Sequence, residues 1–220
     1  MSEQTTDTLQ PYLDAFAEAQ AGLPGGEAAQ SLRAEAIEAL KARGLPSRRD
    51  EAWKYTKLKL DGFAPAVGSK REITPDVLPR LPFPAHRLVM VNGRFRADLS
   101  DAGLGESLAA ALPGLTENLG KDLDLAALPM AALNTALFED GVLLRLSETP
   151  ETPIHLVSVG ADDGETPLFQ PRHRIEIENG EATLIESHVA LGGGGRYAAN
   201  AVTEISVGAG AKPNLSLIHI

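Results

Sequence analysis

Few side chains in this sequence have types and spacing suited to chemistry. Glu186 and His188 stand two apart in an alternating stretch, so they share one face of a strand, and His173 on a neighbouring strand would add a third donor. A carboxylate with two imidazoles can hold a divalent metal. However, His86, His155, His173, His188 and His219 include no His-Glu-x-x-His pair and no zinc-type spacing. Hydrogen-bonded or solvated side chains are the simpler reading, and no metal ligand is assigned. A serine hydrolase needs a Gly-x-Ser-x-Gly elbow, which does not occur. The run Gly192-Gly193-Gly194-Gly195 has no Gly-Lys-Ser/Thr after it and reads as a flexible tip between extended segments. Asp162-Asp163 and Glu139-Asp140 lie beside glycines in turns, where carboxylates are solvated. Cysteine is absent, which removes disulfides, thiolate ligands and a thiol nucleophile. No catalytic residue and no cofactor-binding residue is assigned.

The densest charged cluster is basic. Between positions 41 and 59 stand Lys41, Arg43, Arg48, Arg49, Lys54, Lys57 and Lys59 against only Asp50 and Glu51, inside a chain of formal charge −10. Arg48 and Arg49 are suited to clamp an anion, and Trp53 to stack on a flat ligand or anchor a partner. The plainer alternative packs Trp53 beneath a helix under arginine and lysine stems, with the charged heads in water. That alternative is preferred for Trp53, and the role of the arginines stays open.

Several elements must carry these groups. Leu9, Leu13, Phe16 and Ala17 recur at helical spacing, with Thr6 or Asp7 as cap and Pro11 in the first turn. Leu32, Ala36, Ile37 and Leu40 mark a second helix stopped by Gly44 and Pro46. A third, short helix begins at Ser47, with Asp50 closing a capping box. Prolines then break the text, and Asn92-Gly93 between Arg87–Val91 and Arg94–Ala97 predicts a hairpin. Helical pieces are expected over 106–112 and 129–138. From Gly141 the period changes from helical to two, with extended stretches at 142–146, 154–159, 173–178, 182–189 and 201–207. Leu144-x-Leu146 and Ile154-x-Leu156 are loosely echoed by Ile175-x-Ile177 and Ala182-x-Leu184. Periodicity alone permits an antiparallel sandwich or a solenoid of stacked coils.

Composition narrows the class. With 220 residues, 43% apolar and 23% charged, the chain is long enough for one large domain or a core with an appendage, and the composition argues against wholesale disorder. Its acidity repels phosphate backbones, so no nucleic-acid partner is expected. The first residues lack a secretion signal and no apolar run reaches membrane-helix length, so no membrane partner is expected and the compartment assigned is cytoplasmic.

Four segments, LPSRRDEAWKYTKL (45–58), LNTALFEDGVLL (133–144), RIEIENGEATLIESHV (174–189) and NAVTEISVGAGA (200–211), resemble the SufB/SufD family of SUF iron–sulfur cluster assembly subunits. The most specific element is the Arg-Arg-x-Glu-x-Trp-Lys core, Arg48, Arg49, Glu51, Trp53 and Lys54, a family motif of structural or partner-binding role. The resemblance implies an α+β chain in which an N-terminal helical region precedes a right-handed parallel β-helix, incomplete at its C-terminal end. The corresponding division is a helical region over 1–61, a connector with hairpin and short helices over 62–140, and the start of the β-helix over 141–220. It also implies a non-enzymatic scaffold that pairs with a SufB-like homologous subunit and a SufC-like ATPase. That ATPase would bind the ATP, and the complex would handle the Fe–S cluster, with no cofactor in this chain.

Family members are roughly twice as long, so the SufC-docking region and a late histidine near the partner interface fall beyond residue 211. Residues 212–220 are read as non-native, because Leu215–Ile220 leave the family pattern and resemble translated adapter sequence. Two other classes compete with the scaffold. One is a β-helix polysaccharide lyase or hydrolase using Glu176, Glu178, Glu186 and Glu204, which an aromatic content of only 5% argues against. The other is a flavin- or anion-binding module at the basic cluster.

Overall fold

The computed structural model describes residues 3–60, 62–66, 71–115, 119–161, 166–191 and 196–219. The four-glycine run and Asp162-Asp163 lie outside the described residues. The chain is α+β, opening with helices α1 (Glu3–Ala19) and α2 (Gly26–Arg43). α1 begins earlier than its polar residues predict, so neither Thr6 nor Asp7 caps it, and Pro11 falls inside the helix rather than in its first turn. In α2, Ala36, Ile37 and Leu40 are buried as their spacing requires, and Gly44 ends the helix at φ 75°, a conformation that favours glycine. The helix expected at Ser47 is reduced to one 3-10 turn, Glu51–Trp53.

Strand β1 (Ala64–Pro65) is followed by the hairpin of β2 (His86–Val91) and β3 (Arg94–Phe95), turned at Asn92 (φ 51°) and Gly93 (φ 79°). β4 (Glu106–Ser107) takes the start of the helix expected at 106–112, leaving only α3 (Leu108–Ala111). The Ser107 side chain caps α3 by accepting from the Ala110 amide. Helix α4 (Pro129–Leu137) starts with proline at its first position, where the missing N–H is harmless.

Eight strands follow: β5 (Val142–Leu146), β6 (Ile154–Ala161), β7 (Pro167–Phe169), β8 (Arg172–Ile177), β9 (Glu181–Leu191), β10 (Ala198–Ala199), β11 (Val202–Val207) and β12 (Lys212–His219). They visit three sheets in turn. β5, β8 and β11 lie in one, β6, β9 and β12 in the second, and β7 and β10 in the third. Every described pairing among these eight is parallel, whereas an antiparallel sandwich would pair successive strands. Leu144 stands beside Ile175 and Ile175 beside Ile205, and Ile154 stands beside Leu184. The hairpin belongs to the same construction, since β2 runs parallel to β6 from His86 beside Ile154 to Val91 beside Val159.

Side-chain alternation then divides the core. Leu88, Met90, Leu144, Leu146, Ile154, Leu156, Ile175, Ile177 and Leu184 converge on one cluster between sheets. Val89, Val91, Val157 and Val159 point the other way and are covered by Leu78 and Leu99. A third cluster joins helices to strands, with Tyr12, Ile37, Leu40, Leu133 and Leu137 meeting Leu168. Each such fully buried Leu or Ile contributes roughly 2–3 kcal/mol. All eight residues of β6 are buried, which explains its near-continuous apolar run.

Candidate functional site

The basic segment is an exposed loop, held at its two ends. Leu45 and Leu60 pack on the helix–strand cluster. Between them Asp50 accepts from the Ser47 amide (2.7 Å) and pairs with Arg43, and both contacts hold its carboxyl below the usual range. This is the reciprocal half of the expected capping box. The Ser47 hydroxyl instead accepts from the Arg49 amide at 3.2 Å, which leaves a 3-10 turn without a side-chain cap. Arg48 and Arg49 are exposed, and neither guanidinium has a partner among the described residues. Glu51 is exposed and lies 3.9 Å from Lys54, a loose pair. Trp53 is half-buried and belongs to none of the hydrophobic clusters of described residues. Tyr55, which sequence reasoning passed over, is 91% exposed with Lys54 over its ring. The loop therefore forms a surface, whereas two cavities of about 720 and 490 Å3 are lined by other residues.

The histidine group falls on two sheets. His188 Nε2 lies 3.0 Å from Glu186 on β9. His173, fully buried on β8, accepts the Val142 amide on Nδ1 (3.1 Å). That bond fixes its proton on Nε2, which has no partner, so neither nitrogen offers a metal a free lone pair. Among the described residues no three His, Asp or Glu side chains form a metal-holding group.

Burial pushes the His173 pKa down to about 4, with Glu186 and Asp140 opposing and His188 and Arg172 reinforcing the shift. A folded pKa below the unfolded value near 6.5 means the unfolded chain binds the extra proton. The neutral imidazole's stability is therefore intact above about pH 6.5 and is lost as pH falls toward 4, by up to about 3 kcal/mol. Asparagine at 173 keeps an acceptor for the Val142 amide but does not titrate. Urea unfolding of His173→Asn is expected to lose clearly less stability than the parent between pH 6.5 and 4, and equal losses would remove the imidazole from the account.

The four glutamates proposed for sugar chemistry do not gather at one place. Glu176 is paired with Arg145 (3.0 Å) and Arg174 (3.1 Å), Glu178 is exposed, and Glu186 lies on another sheet. Glu204 is buried against Arg172, which reaches it through Nε (2.9 Å) and a terminal nitrogen (2.5 Å). The second Glu204 oxygen accepts from the Gly120 amide at 2.8 Å.

That ion pair is the centre of a network that sequence reasoning missed. Arg172 also donates to the Thr135 hydroxyl (2.9 Å) and Asn134 Oδ1 (3.2 Å), both on α4. The Asn134 amide group donates in turn to the carbonyls of Pro171 (2.8 Å) and Asn200 (2.7 Å). Phe138 receives Arg33 of α2 face-on at 3.9 Å, and burial beside Arg172 lowers the Arg33 pKa to about 10. Asp140 accepts from the Phe95 and Ala109 amides and the Ser107 hydroxyl. The segment 134–141 thus fastens the helices and the hairpin to successive strands. A readable signal was present: Asn134-Thr135 is a polar pair inside an otherwise apolar helix.

Parallel strands stacked through three sheets and fastened to a helical region define the class as an α+β protein with a parallel-strand core. The chain is 29% identical over 161 residues to the iron–sulfur cluster assembly protein SufD of Escherichia coli, covering 70% of this chain and 38% of that one. It is 30% identical over 177 residues to the iron–sulfur cluster assembly SufBD family protein slr0076 of Synechocystis, covering 72% and 39%. No family model matches the chain. The chain belongs to the SufB/SufD family of iron–sulfur cluster assembly proteins, and it spans about two fifths of the length of these curated relatives.

Proposed function

We propose that the complete protein is a non-enzymatic scaffold subunit of a cytoplasmic SUF complex, pairing with a SufB-like homologous subunit and a SufC-like ATPase. In this reading the strands from Val142 onward, with β2 beside β6, are the first coils of a right-handed parallel β-helix. The observation that carries it is the repeated parallel register through three sheets, in a chain similar to proteins named for iron–sulfur cluster assembly. Stacked coils present long, flat, hydrogen-bonding faces suited to a partner of like construction. The cluster is cargo. Its iron requires soft thiolate ligands, and these 220 residues, which hold no cysteine, supply none of them. Among the described residues no helix is long and apolar enough to cross a membrane.

Co-expression of the complete open reading frame with a SufB-like and a SufC-like chain tests the proposal. One species containing all three chains is expected on size exclusion at low salt. Elution of this subunit alone, with the other two chains associated, contradicts it.

A further inference from the structure

The loop at residues 45–60 carries more unpaired positive charge than its structure requires. Arg43, Arg94, Arg96, Arg145, Arg172 and Arg174 each have a carboxylate partner. Arg48, Arg49, Lys57 and Lys59 have none among the described residues, although the chain holds thirty Asp and Glu residues. In sequence they flank Tyr55, which is almost wholly in water with Lys54 over its ring, and the half-exposed Trp53. The loop backbone is nonetheless fixed. Besides the Asp50 contacts, the Trp53 amide bonds to the Asp50 carbonyl and the Thr56 amide to the Trp53 carbonyl, each at 2.9 Å.

Exposed cations without a carboxylate partner among the described residues, interspersed along one hydrogen-bonded loop with an exposed Tyr and a half-exposed Trp, have the composition of an interaction hot spot, where aromatic anchors supply the affinity and charges the steering. From this arrangement we propose that Arg48, Arg49, Lys57 and Lys59, with Tyr55 and Trp53, form a docking face for a partner protein that presents carboxylates around an apolar side chain. The inference is independent of the SUF assembly role. A nucleic acid is the less favoured occupant, because outside this loop the molecule is strongly acidic and repels a phosphate backbone.

The test uses the full chain and two fluorescent probes: a short peptide of glutamates flanking one leucine, and an oligothymidylate of equal charge. Binding is followed by anisotropy at about 50 mM and about 300 mM salt, a range over which the Debye length shrinks markedly. The parent chain is expected to prefer the peptide and to lose affinity at the higher salt. The double variant Arg48→Glu with Arg49→Glu should weaken peptide binding about tenfold or more, and Tyr55→Ala about threefold. Lys212→Glu, at an exposed cation on β12 that already pairs with Glu181, should leave binding unchanged. Peptide binding that ignores the arginine reversal overturns the proposal. So does tighter binding of the oligothymidylate, or no peptide binding by the parent at low salt.

Discussion

Arg172→Met is expected to cost about 3 kcal/mol of unfolding free energy, because it leaves the buried Glu204 carboxylate with only the Gly120 amide (2.8 Å) and the more distant Arg174 guanidinium (3.8 Å) as partners. The size of the loss comes from the partner left behind. A buried ion pair is itself of small net benefit, since desolvation offsets most of its attraction. Arg172→Met combined with Glu204→Leu should therefore recover part of the loss, leaving unreplaced the Thr135 and Asn134 hydrogen bonds to α4 and the acceptor of the Gly120 amide. Urea denaturation of the two single variants and the double variant gives the coupling directly. A single variant within about 1 kcal/mol of the parent would show that Arg172 does not tie α4 to the strands.

Gly141→Ala is expected to be at least as damaging. A β-carbon at 141 would lie 1.4 Å from the Arg172 carbonyl oxygen, a backbone atom. Neither side can retreat easily, because the Arg172 amide bonds to the Asp140 carbonyl and the Leu108 amide to the Gly141 carbonyl, each at 3.0 Å. The loss should reach about 4 kcal/mol or more, above the range for ordinary overpacking. Gly114→Ala serves as the control, since a β-carbon there meets nothing within 4 Å. Thermal unfolding should place Gly114→Ala near the parent and Gly141→Ala far below it, if it folds. Equal midpoints would mean that β5 and β8 do not approach as closely as described.

The strands were legible because period two survives wherever one face is buried. Val142–Leu146 was read at its true limits and Ile154 at its true start. The weak echo in the sequence is the register itself, since Leu144 and Leu146 stand beside Ile175 and Ile177, and Ile154 beside Leu184. The third sheet was not legible. β7 and β10 are three and two residues long, too short to show any period, and β1 that pairs with β7 is two. Helix limits failed where polar residues misled: Thr6 and Asp7 look like caps but lie inside α1, and Glu106–Ser107 is a strand. At the basic loop the sequence located the charge but not Tyr55, because exposure of an aromatic has no periodic signature. The Arg172–Glu204 pair was hidden for a different reason. Both residues alternate outward like solvated strand positions, and they are covered by α4 at Thr135 and by the turn at Gly120.

The central claim is that β5, β8 and β11 lie rung on rung in a parallel stack, the construction from which the scaffold reading follows. A chain without native cysteine allows a direct test by paired cysteines. Arg145 and Glu176 are register partners on adjacent strands, whereas Arg174 stands beside Leu143, two positions away. Neighbouring strands lie about 4.8 Å apart, within disulfide range, and the diagonal pair exceeds it. Mild oxidation of Arg145→Cys with Glu176→Cys should close a disulfide in the folded protein, while Arg145→Cys with Arg174→Cys should stay reduced. Closure of the second pair and not the first would contradict the stack.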